Sequence, residues 1–359
     1  MVTEDEKKVT GEVPFSEAYI NNRVKLFEEV PLEMPLCVSI EPSNICNFKC
    51  LMCWQSTEEF KKCATPFMNM SMDVFEKTIA DLKEMKSKTG KRLKLLKFYF
   101  RGEPLLHSEI GNMLKIAQEA DIAECTEVTT NASLLTPDLA RTFVECGLDY
   151  FRASIYSVIP ENQKRITQTS VTPETVKNNI EYLRKYRDEK GAKKPFICAK
   201  IMDSHGEENN IFKKMYENIA DETLVDVPWD LAGTEEKALD KLYGGTDEGE
   251  KARKKYEDTQ NKSKRNNVCR YPFTHCIVEA DGKVVICCMD WPGKTNIGHI
   301  MEESLYDIWH GKKLYDFRVM QLKTCGAGHP LCDDCALPLQ NKPEDELYGF
   351  PVEKLSFKE

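Results

Sequence analysis

The chain has 359 residues, of which 41% are hydrophobic and 30% are charged, and this balance excludes a disordered or fibrous protein. Its formal net charge of -9 offers no general positive field to a phosphate backbone, so we expect no nucleic acid partner. No apolar run reaches the roughly 18 residues that a membrane helix needs, and the charged opening MVTEDEKKVTGEV is unlike a signal peptide. We therefore expect a cytoplasmic protein without membrane contact.

The predicted elements begin with a polar N-terminal extension, residues 1–33, which holds one short helix around residues 16–29. Beyond it, runs rich in β-branched and aromatic residues alternate with amphipathic stretches of helical length. The runs are LCVSI, LLKFYF, TEVTT, YFRASI, FICAKIM and TLVDV, and the stretches cover 73–86, 109–120, 137–146 and 173–190. Ser71, Thr136 and Thr172 mark helix starts, the last two each followed by Pro. Six such units predict a partial (β/α)6 TIM-like barrel over residues 34–231, with its active site on the loops that follow the strands.

The chain changes character after the barrel. Between Ala232 and Asn267, 17 of 36 residues are charged, so residues 232–267 predict an exposed helical linker. Residues 268–340 contain a hairpin, IVEADGKVVIC, whose Asp-Gly turn joins two β-branched runs, then a helix around 303–322 and a loop that carries cysteines. We interpret this region as a small C-terminal α+β domain. The tail, residues 341–359, carries no functional signal.

Cysteines are the main chemical signal. There are 15, an odd number that rules out complete internal disulfide pairing, and clusters of cysteine in a reducing compartment favour metal binding or catalysis. Cys46, Cys50 and Cys53 directly follow the first predicted strand, so they lie on the functional rim of the barrel. Three thiolates can hold a [4Fe–4S] cluster and leave one iron open for another ligand. Zinc would usually need a fourth nearby ligand, and zinc or plain buried thiols remain alternatives.

This loop, EPSNICNFKCLMCW, resembles the C-x3-C-x2-C signature of the radical S-adenosylmethionine (SAM) superfamily. The resemblance covers roughly residues 34–340. One βα unit later, FYFRGEPLLH matches the GGEP motif of the family through Gly102, Glu103 and Pro104, with Arg101 in place of the first Gly. In the family this strand edge holds the SAM amino group, and the resemblance implies that Glu103 supplies the negative charge.

Three more positions match the family residue by residue. Asn131, in TTNASLL, corresponds to the TNG element at the end of the third strand, with Ala132 in place of Gly. Ser154, in FRASIYS, corresponds to the Ser that contacts the SAM ribose, and Arg165, in ENQKRIT, to an Arg that pairs with the SAM carboxylate. A guanidinium suits that task because it binds a carboxylate with two hydrogen bonds. The alternative for each is a capped turn or a solvated surface residue.

The C-terminal cysteines resemble the SPASM/twitch extension of the same superfamily, which binds an auxiliary [4Fe–4S] cluster. Cys269, Cys287, Cys332 and Cys335 are the matching ligands, in the contexts CRYPF, ADGKVVICCMDW and CDDC. The C-x2-C-x5-C-x3-C run that a second auxiliary cluster would need is missing, so one auxiliary cluster is expected. Structural zinc is the alternative for these four. Cys276, Cys288 and Cys325 are spare ligands, a hydrogen donor or simply buried thiols.

The resemblance also implies the activity. The reduced cluster would cleave SAM to methionine and a 5′-deoxyadenosyl radical, which takes a hydrogen atom from the substrate, and a flavodoxin or ferredoxin would supply the electron. One auxiliary cluster is similar to the arrangement in dehydrogenases of aminocyclitol antibiotic biosynthesis. We therefore expect oxidation of a secondary alcohol on a sugar-like or cyclitol-like small molecule, with the auxiliary cluster as electron acceptor.

Two alternatives stay open. One is a peptide-modifying or epimerising relative, although only about 35 residues precede the barrel, which weakly disfavours a leader-dependent peptide maturase. The other, of a different class, is a non-enzymatic iron–sulfur or zinc scaffold. The sequence does not indicate which residue is the catalytic base or the hydrogen donor. The substrate-facing residues have no recognisable motif, so similarity in fold does not identify the substrate.

Overall fold

A computed structural model of the protein describes residues 23–62, 66–226, 238–243, 250–251, 254, 267–333, 335 and 337–358. Its framework is one nine-stranded sheet, of which the first six strands are parallel. These strands are β1 (Cys37–Ile40), β2 (Leu95–Phe98), β3 (Thr126–Thr130), β4 (Tyr150–Ile155), β5 (Phe196–Met202) and β6 (Glu222–Asp226). The spatial order runs from β6 to β1 without exchange, and the sheet does not close. The predicted partial (β/α)6 barrel is confirmed.

Helices fill the connections between the strands. They are α1 (Leu26–Glu29), α2 (Glu58–Lys62), α3 (Met72–Thr89), α4 (Ile110–Ala120), α5 (Pro137–Glu145), α6 (Pro160–Thr167), α7 (Pro173–Glu189), α8 (Glu208–Tyr216) and α9 (Ala238–Tyr243). The predicted caps are present, because the hydroxyls of Ser71, Thr136 and Thr172 accept hydrogen bonds from backbone N–H groups in the first turns of α3, α5 and α7. The helix predicted around 16–29 is described only from Leu26, and most of the predicted linker lies outside the described residues.

The two faces of the sheet differ in chemistry. One face, with Val38, Phe98 and Phe151 among its residues, packs against α3, α4, α5, α7 and α8 in a continuous apolar core. The strand positions in between point to the opposite, inner face, which bounds the lumen of the barrel. That inner face carries charged side chains, including Lys97 and Arg152. The apolar core therefore holds the barrel together from outside and leaves the lumen for polar chemistry.

The C-terminal region continues the same sheet. After α10 (Tyr271–Thr274), strand β7 (His275–Val278) pairs in parallel with β1, and β8 (Lys283–Val285) and β9 (Asn296–His299) follow antiparallel. The predicted hairpin is present, and its turn residue Gly282 has φ +92°, where a Cβ atom would lie 2.8 Å from the His299 ring. The strands of the C-terminal region thus extend the barrel sheet and do not form a sheet of their own. The short strand β9 was not predicted.

The single helix predicted around 303–322 is wrong, because Gly311 divides it. α11 (Leu305–His310) and α12 (Lys312–Thr324) lie on either side of this residue, whose backbone is extended. The buried Trp309 of α11 donates a hydrogen bond from Nε1 to the carbonyl of Leu32, 2.8 Å away. This contact ties the C-terminal helices to the segment that enters β1.

The tail packs on the N-terminal segment. Arg23 and Arg270 both form ion pairs of 2.7 Å with Asp345. Leu347, Phe350 and Leu355 share an apolar cluster with residues of α1. In the described part of the chain, no helix is both long and apolar enough to cross a membrane.

The continuous sheet predicts that the barrel does not fold without its C-terminal region. Removing residues 268–359 would leave β1 as an open edge and take away the partners that β7 supplies, so we expect the fragment 1–267 to lose cooperative folding. Thermal unfolding followed by circular dichroism, with the full chain as the control, measures this. A fragment that unfolds cooperatively with the secondary structure of the parent barrel would contradict it.

Candidate functional site

Cys46, Cys50 and Cys53 lie together in the loop of residues 41–57 that follows β1, here the N-terminal cysteine loop. Burial raises the pKa of Cys46 to about 12, to which Cys53 contributes, and burial raises that of Cys53 to about 11. The pKa of Cys50 is raised well above its usual range by burial and by both neighbouring thiols. Three thiolates at this position need positive charge to offset burial and mutual repulsion. An iron–sulfur cluster provides that charge, so the residues present fit one.

The backbone of this loop is fixed by its neighbours. The N–H groups of Lys49 and Leu51 donate to the carbonyls of Thr167 and Ile166 at the end of α6, at 3.0 and 2.9 Å. The Gln55 side chain donates to the carbonyl of Arg101, 2.7 Å away. The loop is therefore attached both to α6 and to the segment after β2.

Gly102 brings the segment after β2 into direct contact with the cysteine loop. A Cβ atom at this position would lie 2.3 Å from the carbonyl oxygen of Ser43 and 2.5 Å from that of Ile45. The next residue, Glu103, donates its N–H to the carbonyl of Ile45 at 2.8 Å. Only glycine permits this approach, which explains the Gly of the Gly-Glu-Pro motif in physical terms.

Glu103 is buried and its carboxylate accepts three hydrogen bonds. The donors are the Thr130 hydroxyl at 2.5 Å and the N–H groups of Asn131 and Leu105 at 2.8 and 3.0 Å. Burial raises the pKa of Glu103 to about 7, against the effect of these donors. The carboxylate thus joins the ends of β2 and β3, and Pro104 begins the short turn that follows it.

Asn131 connects the end of β3 to the cysteine loop. Its amide nitrogen donates to the side chain of Asn47 at 2.9 Å, and Asn47 in turn donates to Ser133 at 2.9 Å. The following residue, Ala132, has φ +57°, the conformation that favours the Gly found at this position in the TNG element. Asn131 is thus brought next to the cysteine loop, and its contact with SAM stays a prediction.

Ser154 and Arg165 lie further along the same rim. Ser154 is half-buried on the inner side of β4. Arg165, on α6, lines a cavity of about 290 Å³ together with Tyr156, Asp203 and His205. Tyr156, which the sequence analysis missed, donates a hydrogen bond to the Cys50 thiol and so connects this cavity to the cysteine loop. The sequence feature that could have indicated Tyr156 is its position two residues after Ser154.

A buried ion-pair network lies under the motif segment. The Arg101 guanidinium makes two hydrogen bonds to Glu41, at 2.8 and 2.6 Å, and an ion pair of 3.1 Å to Glu279. Glu41 also accepts the N–H of Ala280 at 3.0 Å. Burial raises the pKa of Glu279 to about 8, although Arg101 opposes this effect. Arg101 looked like a mild departure from the GGEP motif, but it joins the end of β1 to the segment after β7.

The four C-terminal cysteines meet around one cavity. Cys269, Cys287, Cys332 and Cys335 line it, together with Tyr271 and Phe317 among others. Burial raises the pKa of Cys269, Cys332 and Cys335, the last two to about 12 and about 11. Gln321 donates to the Cys332 sulfur at 3.4 Å. Buried thiols gathered in this way fit a second cluster.

The three remaining C-terminal cysteines have different surroundings. Cys276 is buried in the main core, and Cys325 lines the same cavity as the four others. Cys288 accepts a hydrogen bond from the Tyr271 hydroxyl. Burial raises the pKa of Tyr271 well above its usual range, with Cys288 and Tyr99 acting in the same direction. Tyr271 therefore lies between the C-terminal cavity and Tyr99, at the end of β2.

Family models match most of the chain. The model of the Radical SAM superfamily matches residues 40–216, and that of SPASM, an iron–sulfur cluster-binding domain, matches residues 269–336. A protein of Pyrococcus furiosus, named tungsten-containing aldehyde ferredoxin oxidoreductase cofactor-modifying protein, is 25% identical over 325 residues, which are 83% of this chain and 86% of that protein. The S-adenosyl-L-methionine-dependent 2-deoxy-scyllo-inosamine dehydrogenase of Niallia circulans is 34% identical over 73 residues, 20% of this chain and 29% of that protein.

Solved structures share the fold. BtrN in complex with AdoMet and 2-DOIA aligns with a TM-score of 0.54 at 18% identity, over 84% of this chain and 93% of BtrN. Streptococcus suis SuiB bound to S-adenosylmethionine aligns with a TM-score of 0.58 at 16% identity, over 90% of this chain and 78% of SuiB. Native anSMEcpe with bound AdoMet aligns with a TM-score of 0.57 at 15% identity, over 89% of this chain and 95% of anSMEcpe.

The close approach at Gly102 predicts that Gly102→Ala disturbs the cysteine loop. The added methyl would force the backbone of residues 43–45 away, so we expect iron retention after anaerobic reconstitution to fall by about half. Gly111→Ala is the matched control, because its Cβ would meet only side-chain atoms, the nearest 3.2 Å away. Iron analysis checks both variants, and parent-level iron in Gly102→Ala would show that the approach does not matter.

Proposed function

Because this chain belongs to the radical SAM superfamily and carries a C-terminal SPASM domain, we propose that it oxidises a secondary alcohol of a polar small molecule, with the auxiliary cluster as electron acceptor. The family implies SAM and two [4Fe–4S] clusters as cofactors. When bound and reduced, these groups supply the electron that cleaves SAM and the hydrogen-abstracting species. The remaining chemistry is that of the protein: to hold both clusters, orient SAM and keep water from the substrate.

Each cofactor has proposed ligands. Cys46, Cys50 and Cys53 would hold the first cluster, and Cys269, Cys287, Cys332 and Cys335 the auxiliary one. Around SAM, the segment from Gly102 to Pro104 would offer backbone groups to the amino group, while Asn131 fixes the neighbouring loop. Ser154 and Arg165 would bind the ribose and the carboxylate. The three donors already present on Glu103 support a role for its carboxylate in holding the rim in shape.

One observation supports the proposal: a tyrosine beside each set of cysteines connects it to the barrel, at residues that follow β4 and β2. Tyr156 links the Cys50 thiol to the cavity that contains Arg165. On the other side, Tyr271 lines the C-terminal cavity and neighbours Tyr99, which follows β2. A substrate in the lumen would be near both clusters, as an oxidation needs when its two electrons leave to different acceptors.

The oxidation of an alcohol is supported by the similarity to the 2-deoxy-scyllo-inosamine dehydrogenase, whose identity of 34% is confined to 73 residues. The relative with the broader match is named for modifying the cofactor of an aldehyde oxidoreductase. Modification of such a cofactor is therefore a second candidate function.

Peptide modification or epimerisation remains the alternative, because SuiB, a structural neighbour, was solved with the precursor peptide SuiA. A flavodoxin or ferredoxin is the proposed electron donor.

Reconstituted protein should contain roughly eight irons and cleave SAM to 5′-deoxyadenosine. Replacing Cys46, Cys50 and Cys53 together by Ala should remove about half of the iron and all SAM cleavage. Cys146→Ala is the matched control, since this thiol lies on the outer side of the barrel and contacts the carbonyl of Phe143. Iron analysis and chromatography of 5′-deoxyadenosine give the readout. SAM cleavage that survives the triple substitution would contradict the assignment.

The auxiliary cluster can be tested through Cys332→Ala combined with Cys335→Ala. A screen of hydroxylated small molecules, 2-deoxy-scyllo-inosamine among them, first identifies an alcohol that the parent protein oxidises. With that alcohol deuterated at the carbinol carbon, the double variant should still transfer deuterium to 5′-deoxyadenosine but form no ketone. Mass spectrometry follows both products. Ketone formation at the parent rate without the second cluster would contradict the electron-accepting role, and loss of the melting transition would instead indicate a structural one.

A further inference from the structure

Two cations in the lumen share a single carboxylate. Lys97 on β2 and Arg152 on β4 lie on either side of Glu127, which is on β3 between them. The Lys97 Nζ is 3.9 Å and the Arg152 Nη1 is 3.7 Å from the Glu127 oxygens, too far for hydrogen bonds. The Glu127 side chain is 0% exposed, and those of Lys97 and Arg152 are 17% and 18% exposed. The cations therefore reach open space in the lumen while the carboxylate does not.

All three groups are charged. Burial alone would raise the pKa of Glu127, but Arg152 and Lys97 hold it below its usual range. Burial lowers the pKa of Lys97 and Arg152, but the Glu127 carboxylate acts against burial together with neighbouring tyrosines and cysteines, and the pKa of each is raised. Two positive charges and one negative charge leave the group with one positive charge in excess.

The donors of both cations are largely unused. In the described part of the chain, neither Lys97 Nζ nor the Arg152 guanidinium donates a hydrogen bond, and Arg152 Nε is buried without a partner. Their close contacts are with the rings of Tyr99 and Tyr150. Glu127 instead accepts from the Thr129 hydroxyl at 2.7 Å. An ammonium has three donors and a guanidinium five, so these two side chains offer several free donors to a ligand that carries acceptors.

Neighbouring carboxylates do not cancel this charge. Asp226 is already paired with Lys200, at 2.7 Å. Glu222 lies opposite Cys198, and Cys198 lies opposite Arg152, so Glu222 is two strands away. Two strand spacings correspond to roughly 9.5 Å.

The pair lies deeper in the barrel than the cofactor positions. Arg152 precedes Ser154 by two residues along β4, which corresponds to roughly 7 Å, and Tyr156 is two residues further on. Tyr156 contacts Cys50. A substrate that reached both places would have one end on the cations and its reacting carbon toward the cysteine loop.

We propose that Lys97 and Arg152 form a subsite that binds an anionic group of the substrate, a carboxylate or a phosphate. The guanidinium would bind two oxygens in a fixed plane, and the ammonium would add a point charge. This inference rests on the proposed function, because it names the class of polar small molecule that the lumen takes. A lumen with this subsite would favour an anionic substrate over a neutral or cationic cyclitol.

The test uses isothermal titration calorimetry on the protein with both clusters and SAM bound, at constant ionic strength. The probes are glucose, glucuronate and glucose 6-phosphate, which share a ring and differ in charge. We expect at least one anionic probe to bind about tenfold or more tightly than glucose. Preference for glucuronate identifies a carboxylate site, and preference for glucose 6-phosphate identifies a phosphate site. Equal affinity for all three probes would overturn the proposal.

Some variants remove a positive charge and one removes the negative charge, so the proposal can be tested even if some of them do not fold. Lys97→Gln and Arg152→Gln should each weaken binding of the anionic probe about tenfold or more, whereas Glu127→Gln should strengthen it. Lys200→Gln combined with Asp226→Asn is the matched control, because it removes an ion pair without changing the net charge. Iron content and melting temperature are recorded for every variant. An unchanged anion affinity in Glu127→Gln would overturn the subsite even if the other two variants do not fold.

The same samples separate this inference from the proposed function. SAM cleavage by the parent protein is measured independently of probe binding. If the parent does not cleave SAM but binds anionic probes in the charge-dependent way described, the proposed function fails and the subsite stands. If it cleaves SAM but does not distinguish the probes, the subsite alone fails.

Discussion

The buried network of Glu41, Arg101 and Glu279 is the interaction on which the arrangement of the site depends. Glu41 directly follows β1 and begins the N-terminal cysteine loop, Arg101 precedes the Gly-Glu-Pro segment, and Glu279 lies in the hairpin that leads to Cys287. Three regions that bear the proposed cofactor residues thus converge on one guanidinium. Removing one partner from such a buried pair typically costs about 3–5 kcal/mol, because the remaining charge is uncompensated.

This network makes the two cysteine regions parts of one framework. β7 pairs directly with β1, so the strand before the N-terminal cysteines and the strand before Cys287 are neighbours in the sheet. The rings of Trp54, next to Cys53, and Trp291, shortly after Cys288, stack with centroids 6.5 Å apart. The outer apolar face carries most of the packing, which allows the inner face to hold charges that would be costly in an ordinary core.

Periodicity and caps in the sequence predicted the six strands and the barrel helices α3, α4, α5 and α7, because these depend on local pattern. The cysteines and the Gly-Glu-Pro motif could be found for the same reason, since their spacing is short. Tyr156, Glu41 and the lumen charges could not, because their roles come from contacts between distant segments. One signal was available: Lys97, Glu127 and Arg152 each place a charge within a short strand whose neighbours are apolar or β-branched. The pairing of β7 with β1 likewise joins residues more than 230 positions apart.

We infer that the N-terminal cysteines hold the cluster that binds SAM, on a rim built jointly with the C-terminal region. Electron–nuclear double resonance on the reduced protein, with SAM labelled by ¹⁵N at the amino group and ¹⁷O at the carboxylate, distinguishes the two cysteine sets. We expect hyperfine coupling of both labels to a cluster signal that Cys53→Ala abolishes and Cys332→Ala with Cys335→Ala retains. Coupling that disappears with the C-terminal cysteines instead, or no coupling in the parent protein, would contradict it.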